Sequence, residues 1–260
     1  SSANGRTGKH WPDIESRLRG VLGDFTTFTT KRPGHAVDLT RKAIQDGHDL
    51  VISVGGDGTH CEVLNGFFDD NLPVNPAAAM AIFPHGTGSD LARGMGVHKI
   101  EDALAMLSAR TITKVDIGRV TLTLPHGGRQ VHYFLNVADF GIGGAVAERV
   151  NGQTKRFGPF LTFLYAVLRT LFTFKNPLVS IQIDGELFEI RTINVIVANG
   201  QYYDGGIHVA RDARMDDGQF EVYVLGDIHL LTALRYLHTF YLGTYLRYPH
   251  LVRRYTGTRI

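Results

Sequence analysis

The sequence predicts an N-terminal doubly wound α/β domain followed by a mainly antiparallel β-sandwich domain. Three observations carry that expectation. Two short apolar runs, residues 50–54 and 79–83, each precede a glycine-rich turn and a helix-like segment. Continuous apolar runs of this length are what parallel strands covered on both faces require. Beyond Thr111 the pattern changes to short strand-like segments separated by turn signals. Hydrophobic residues make up 43% of the 260-residue chain, which supports a sizeable core and argues against disorder.

In chain order, Ala36, Leu39, Ala43 and Ile44 recur at helical spacing over residues 34–46, and Gly47 suits a C-cap. Residues 60–70 read as the helix after the first apolar run. Residues 91–95 read as a short helix after the second, and 100–108 as an amphipathic helix. Residues 115–124 and 130–138 read as strands about a Pro-His-Gly-Gly turn. Residues 179–184, 186–198 and 219–225 continue the β reading, interrupted by helix-like inserts at 157–174 and 228–247. A boundary near residue 112 gives domains 1–112 and 113–260. A cleft between two such domains is a natural ligand site.

Composition excludes several function classes. The formal net charge of +2 argues against bulk nucleic-acid binding, which needs a basic surface. The single cysteine, Cys61, excludes an internal disulfide framework and a Cys-based zinc site, so a reducing cytoplasm is the simplest compartment. No run approaches the ~18 apolar residues of a membrane-spanning helix. Residues 1–9 lack the apolar core of a signal peptide, and a chain that opens on Ser1 reads as an excised domain. The 12 histidines show no H-x-x-x-H or H-E-x-x-H spacing, which argues against zinc. His85 reads as a solvated loop residue beside the second turn.

The strongest chemical signal is Gly55-Gly56-Asp57-Gly58-Thr59, between a buried strand and a helix. Glycines let backbone N–H groups crowd around phosphate oxygens, and the helix N-terminus adds partial positive charge. Asp57 would repel phosphate unless Mg²⁺ or a hydroxyl lies between, whereas Thr59 can donate to it. The second signal is Pro84-His85-Gly86-Thr87-Gly88-Ser89-Asp90-Leu91-Ala92-Arg93, also between strand and helix. Ser89 or Asp90 suits an N-cap, and Arg93 suits either phosphate or Asp90. Two such turns at the carboxyl ends of parallel strands form the crevice where open α/β sheets bind ligands. Neither turn is a Walker A loop or a Rossmann fingerprint.

Together these residues resemble the diacylglycerol kinase catalytic-domain family, lipid kinases related to sphingosine, ceramide and NAD kinases, over essentially the whole chain. Asn4-Gly5-Arg6-Thr7-Gly8-Lys9 is similar to the tail of that family's first phosphate loop. Residues 55–59 match its nucleotide signature, and 86–93 match its Gly-Thr-Gly-Asn-Asp-x-Ala-Arg segment, with Ser89 where Asn is usual. Asn136-Val137-Ala138 with Gly141, then Asn199-Gly200, Gly205-Gly206 and Asp216-Asp217-Gly218, match signatures of its β domain.

The resemblance implies ATP binding by Gly56, Asp57, Gly58, Thr59, Cys61, Glu62 and Thr87, and Thr30 matches a family threonine that faces the nucleotide. Gly55, Gly86, Gly88, Asp90 and Arg93 complete the candidate cofactor set, and Asp57 is the candidate catalytic residue, orienting Mg²⁺ through water. A carboxylate in the Asp216-Asp217-Gly218 turn, flanked by free carbonyls, suits a hard cation, while a plain β-turn is the alternative. The resemblance implies a structural Mg²⁺ there, on the Asp217 side chain and the carbonyls of Arg214 and Gln219. It also implies a general-base carboxylate beyond Ile260, because Asp184-Gly185-Glu186 comes too early and reads as a hairpin turn.

Aromatic segments 157–165 and 230–248, edged by Lys155, Arg156, Arg169, Arg235 and Arg247, suit core packing with lipid contact at one edge. The expected activity is transfer of the γ-phosphoryl of ATP to a lipid hydroxyl, most simply diacylglycerol. The enzyme is expected in the cytoplasm, peripheral to the inner face of the membrane, with no transmembrane span and no nucleic-acid partner. A homodimer stays open. The competing readings are an NAD kinase-like enzyme, which shares the Gly-Gly-Asp-Gly-Thr turn, and a lipid- or nucleotide-binding module without catalysis.

Overall fold

The computed structural model describes residues 6–86, 89–151, 165, 168–203, 205–241 and 243–260. Contacts group the chain into two units, Ser1–Asn136 with Tyr202–Gly206, and Val137–Gln201 with Ile207–Ile260.

The first unit runs α1 (Arg6–Leu22), α2 (His35–Gln45), β1 (Leu50–Gly55), α3 (Asp57–Gly66), β2 (Phe68–Asp69), β3 (Leu72–Pro73), β4 (Ala79–Pro84), α4 (Asp90–Gly94), α5 (Ile100–Ala109), β5 (Gly118–Thr123) and β6 (Arg129–Phe134). Strands β1 and β4 pair in parallel, from Leu50 opposite Ala79 to Gly55 opposite Pro84. Parallel neighbours need a crossover, and the segment carrying α3 supplies it.

Helix α1 was not among the expected elements. Its Ile14 and Leu18 are 1% and 2% exposed and pack with Phe83, Ala92, Val97 and Ala103 in the core of this unit. Helices α2 and α3 meet through Gly66, where a Cβ would lie 2.5 Å from Thr40 Cβ and 2.6 Å from the Val37 carbonyl. Helix α3 begins three residues before the expected start, inside the glycine turn. The β5–β6 hairpin lies beyond residue 112 yet packs in this unit. Asn65 of α3 fastens it, donating to the Tyr133 carbonyl (2.8 Å) and accepting the Tyr133 N–H (2.9 Å).

The second unit begins with β7 (Val137–Gly141) and α6 (Ile142–Asn151). Residues 168–173 are helical, while most of the expected 157–174 insert lies outside the described residues. Next come β8 (Leu178–Ile183), β9 (Glu186–Arg191) and β10 (Asn194–Ala198); β11 (Tyr202–Tyr203) belongs to the first unit. The chain returns with β12 (Ile207–His208), β13 (Phe220–Leu225), α7 (Leu230–Tyr241), a 3₁₀ turn (Tyr245–Arg247) and β14 (Val252–Gly257).

Four strands form an antiparallel sheet in the order β14-β13-β10-β7. Every residue of β10 is buried, as are Val222, Tyr223 and Val224 of β13. The expected strand 186–198 breaks at Thr192, whose hydroxyl donates to the Asn194 carbonyl (2.9 Å) and also reaches the Leu225 carbonyl.

Arg254 of β14 ties this sheet to the loop before β13. It donates twice to Glu221 (2.6 and 2.7 Å) and once to Asp212 (2.7 Å). The Glu221 side chain is 11% exposed, so Arg254→Ala strands a nearly buried carboxylate. The expected loss of unfolding free energy is about 2 kcal/mol, below that of a fully buried pair because water reaches Arg254. Urea unfolding checks this, and a loss under about 0.5 kcal/mol would contradict it.

Candidate functional site

The two glycine turns sit at the tips of β1 and β4, and the parallel register brings them together. The His85 N–H donates to the Gly55 carbonyl (2.7 Å), extending the ladder one step past the strands. A Cβ on Gly86 would meet Gly56 Cα, and a Cβ on Gly56 would lie 3.2 Å from Gly86 Cα. Close backbone approach therefore requires glycine at Gly86 and leaves little room for a side chain at Gly56. Gly55 is required for another reason, since Thr59 Oγ1 would lie 2.7 Å from a Cβ there.

Gly56 is the extended N-cap of α3 and its carbonyl accepts from Thr59 (2.9 Å) and His60 (3.0 Å). The Asp57 and Gly58 amides, first in the helix, have no intrahelical acceptor, as at any helix start. Among the described residues, a Cβ on Gly58 would meet no atom of another segment within 4 Å, so this side of the turn is open to them. An open cradle of amides at a helix N-terminus fits an anion such as a phosphate chain.

Asp57 has a role that its position in the sequence does not reveal. Its Oδ1 accepts the Leu91 N–H (2.9 Å) and its Oδ2 the Asp90 N–H (3.2 Å). Ser89, the local N-cap of α4 at φ 54, makes no side-chain cap bond. The carboxylate of the first turn thus caps the helix that follows the second.

Asp90 is 4% exposed. Its carboxylate accepts from Arg93 (2.8 Å) and from the Gly205 N–H (2.7 Å). Burial pushes the Asp90 carboxyl up, against the pull of Gly205 and Arg93. Arg93 stacks over Tyr202, 5.4 Å from the ring centroid. The pairing of Arg93 with Asp90, one of its two expected roles, is present.

The remaining sequence candidates lie at various distances from these turns. Glu62 accepts the Ala36 N–H at the start of α2 (3.3 Å), and Thr30 lies on the segment leading to that helix. Cys61 faces the hairpin, its Sγ 3.6 Å from the Tyr133 carbonyl. Thr87 and Gly88 lie outside the described residues.

In the second unit, Asp217 Oδ1 accepts the Gln219 N–H (3.0 Å), an Asx turn, and Arg214 pairs with Asp216 (3.1 Å). A carboxylate oxygen in a turn is a donor of the hard-oxygen kind. Asp184 and Gly185, at φ 47 and 103, form the two-residue turn between β8 and β9. The Asp184 carboxylate accepts from the N–H and hydroxyl of Thr258 and from the Arg259 N–H, which hold it below the usual carboxylate range. It is committed to the segment after β14 and is a poor proton acceptor.

His60 is a site residue that the sequence reading passed over. It is fully buried behind the first turn, with Nδ1 2.7 Å from Ser53 Oγ. Burial lowers its pKa to about 4, against smaller upward pulls from Asp57 and Gly55. An unfolded histidine takes its proton near pH 6.5, before the folded one does. Stability is therefore full above about pH 6.5 and falls as pH drops toward 4, by about 3 kcal/mol in all. His60→Leu removes this part of the acid sensitivity. Urea unfolding of both proteins near pH 7 and near pH 4.5 checks it, and parallel losses would contradict it.

Residues 1–120 match the Diacylglycerol kinase catalytic domain family, and residues 136–260 match the YegS C-terminal NAD kinase beta sandwich-like domain family. The chain is 25% identical over 249 residues to a diacylglycerol kinase of Bacillus subtilis (strain 168), covering 94% of this chain and 77% of that protein. It is 24% identical over 243 residues to a diacylglycerol kinase of Staphylococcus carnosus, covering 93% and 75%. A crystal structure of a diacylglycerol kinase from Bacillus anthracis str. Sterne superposes with a TM-score of 0.66 at 22% identity, over 99% of this chain and 80% of that one. A second structure from the same organism gives a TM-score of 0.70 at 25% identity, over 98% and 79%.

Proposed function

The chain belongs to the diacylglycerol kinase catalytic-domain family of lipid kinases, and on that premise we propose that it transfers the γ-phosphoryl group of ATP to the hydroxyl of diacylglycerol. The observation that carries this reading is the near contact of Gly56 and Gly86 beside the open amides at the start of α3.

Gly55, Gly56, Gly58 and Thr59 would hold the phosphate chain, with Gly86 alongside. Asp57 locks the two turns in register through the α4 amides, so that in-line attack meets a fixed γ-phosphorus. ATP supplies the transferable group and Mg²⁺ neutralises its charge. Thr30 and Glu62 stand on the α2 side and Cys61 on the hairpin side. Asp90 and Arg93 act as positioning residues, since their polar atoms are engaged with each other and with Gly205. Asp217, with the Arg214 and Gln219 carbonyls, would hold a structural Mg²⁺.

The enzyme works at the cytoplasmic face of the membrane. No helix among the described residues is long and apolar enough to cross one. Support for surface contact comes from Phe172, 72% exposed between Arg169 and Lys175 in sequence, and from Leu231, 80% exposed four residues before Arg235.

A phosphorylation assay with a panel of lipid alcohols and NAD tests the proposal. The expected product is phosphatidic acid. Turnover of NAD alone would give the NAD kinase-like reading, and ATP affinity without turnover on any acceptor would give the non-catalytic one.

A further inference from the structure

We propose that His10 and His85 form a binding site for a divalent transition-metal ion such as Zn²⁺, between the first turn of α1 and the second glycine turn. His10 Nδ1 lies 3.2 Å from His85 Nε2. The ring centroids are 5.3 Å apart and the planes nearly perpendicular, at 86°. Two imidazole nitrogens on one tetrahedral Zn²⁺, each about 2.0–2.1 Å from it, lie about 3.3 Å apart. The observed separation fits two ligands of one ion as well as it fits a shared proton.

Thr7 decides how His85 presents itself. The Thr7 hydroxyl donates to the His85 carbonyl (3.3 Å), and the same oxygen lies 3.1 Å from His85 Nδ1. With its proton directed at the carbonyl, Thr7 Oγ1 accepts from Nδ1–H, an assignment that follows from the hydrogen-bond network. His85 therefore carries its proton on Nδ1 and turns the Nε2 lone pair toward His10. A ligating histidine whose other ring nitrogen donates to an oxygen is the outer-shell arrangement of metal sites. His10 is exposed, so its proton can move from Nδ1 to Nε2 through solvent. With that tautomer, the His10 Nδ1 and His85 Nε2 lone pairs face each other across the 3.2 Å gap.

No group of three or more His, Cys, Asp or Glu side chains among the described residues is arranged to hold a metal. The remaining coordination positions therefore take water or a ligand oxygen, as in an exchangeable rather than a closed structural site. His10 and His85 stand 75 residues apart, so no local spacing rule marks the pair.

Zn²⁺ alone, titrated into the tag-free full chain near neutral pH by calorimetry, tests this. One saturable site per chain with a micromolar Kd is expected. His10→Gln and His85→Gln are each expected to lose it, and Thr7→Val to weaken it roughly tenfold by freeing the His85 ring. Circular dichroism establishes that the variants are folded. Absence of a saturable site below about 100 μM in the unmodified chain would overturn the proposal. So would unchanged affinity in either glutamine variant, which substitutes a partly exposed side chain without touching the core.

Discussion

Gly86→Ala is expected to reduce nucleotide affinity at least about 100-fold, equivalent to about 2.7 kcal/mol. The added Cβ would fall on Gly56 Cα, 3.0 Å from the Gly56 nitrogen and 3.5 Å from the Gly55 carbonyl. These are backbone atoms at the tip of β1, fixed by the parallel pairing with β4, and cannot swing aside as a flexible side chain would. The turns must part, and the spacing of their amides changes with them. Gly58→Ala is the informative companion. Its Cβ meets no atom of another segment among the described residues, and alanine favours a helix over glycine by up to about 1 kcal/mol. That variant is expected to be as stable as the parent or more so, yet to lose nucleotide binding because the methyl occupies the ligand's space. Calorimetric binding and thermal unfolding of the two variants separate a damaged fold from a filled site. A Gly58→Ala protein that binds nucleotide normally would contradict the placement of the ligand.

Asp57→Ala is expected to lower turnover at least about 100-fold while costing about 1–2 kcal/mol of stability. Two amides, those of Asp90 and Leu91, lose their acceptor at once. The α4 helix has no cap of its own to replace it, because Ser89 makes none. Asp57→Asn keeps one acceptor oxygen and is expected to recover part of the stability but little of the turnover. Steady-state kinetics with parallel urea unfolding checks both halves. Full activity in Asp57→Ala would show that the turns hold their register without it.

Much of this site was legible in the sequence, because its strongest signals are local. An apolar run followed by Gly-Gly-Asp-Gly-Thr announces a strand, a turn and a helix within a dozen residues. Asp184-Gly185 likewise announces the β8–β9 hairpin that the structure contains. Contacts between distant segments were not legible. The cap from Asp57 onto Leu91 spans 34 residues, and nothing in either turn by itself demands it. Helix α1 carried a readable signal in Ile14 and Leu18, four apart, but Gly8 and Pro12 interrupt the pattern near its start. His60 shared the core face of its helix with Val63 and Leu64, so its burial was also within reach. The strand break at Thr192 depends on carbonyls it meets only after β10 and β13 have paired.

A crystal structure of the protein with ADP and Mg²⁺ tests the central claim most directly. The account predicts the β-phosphate within about 3 Å of the Asp57 and Gly58 amides, with Gly86 packed alongside. A nucleotide bound elsewhere, with side chains filling the space before Gly58, would contradict it.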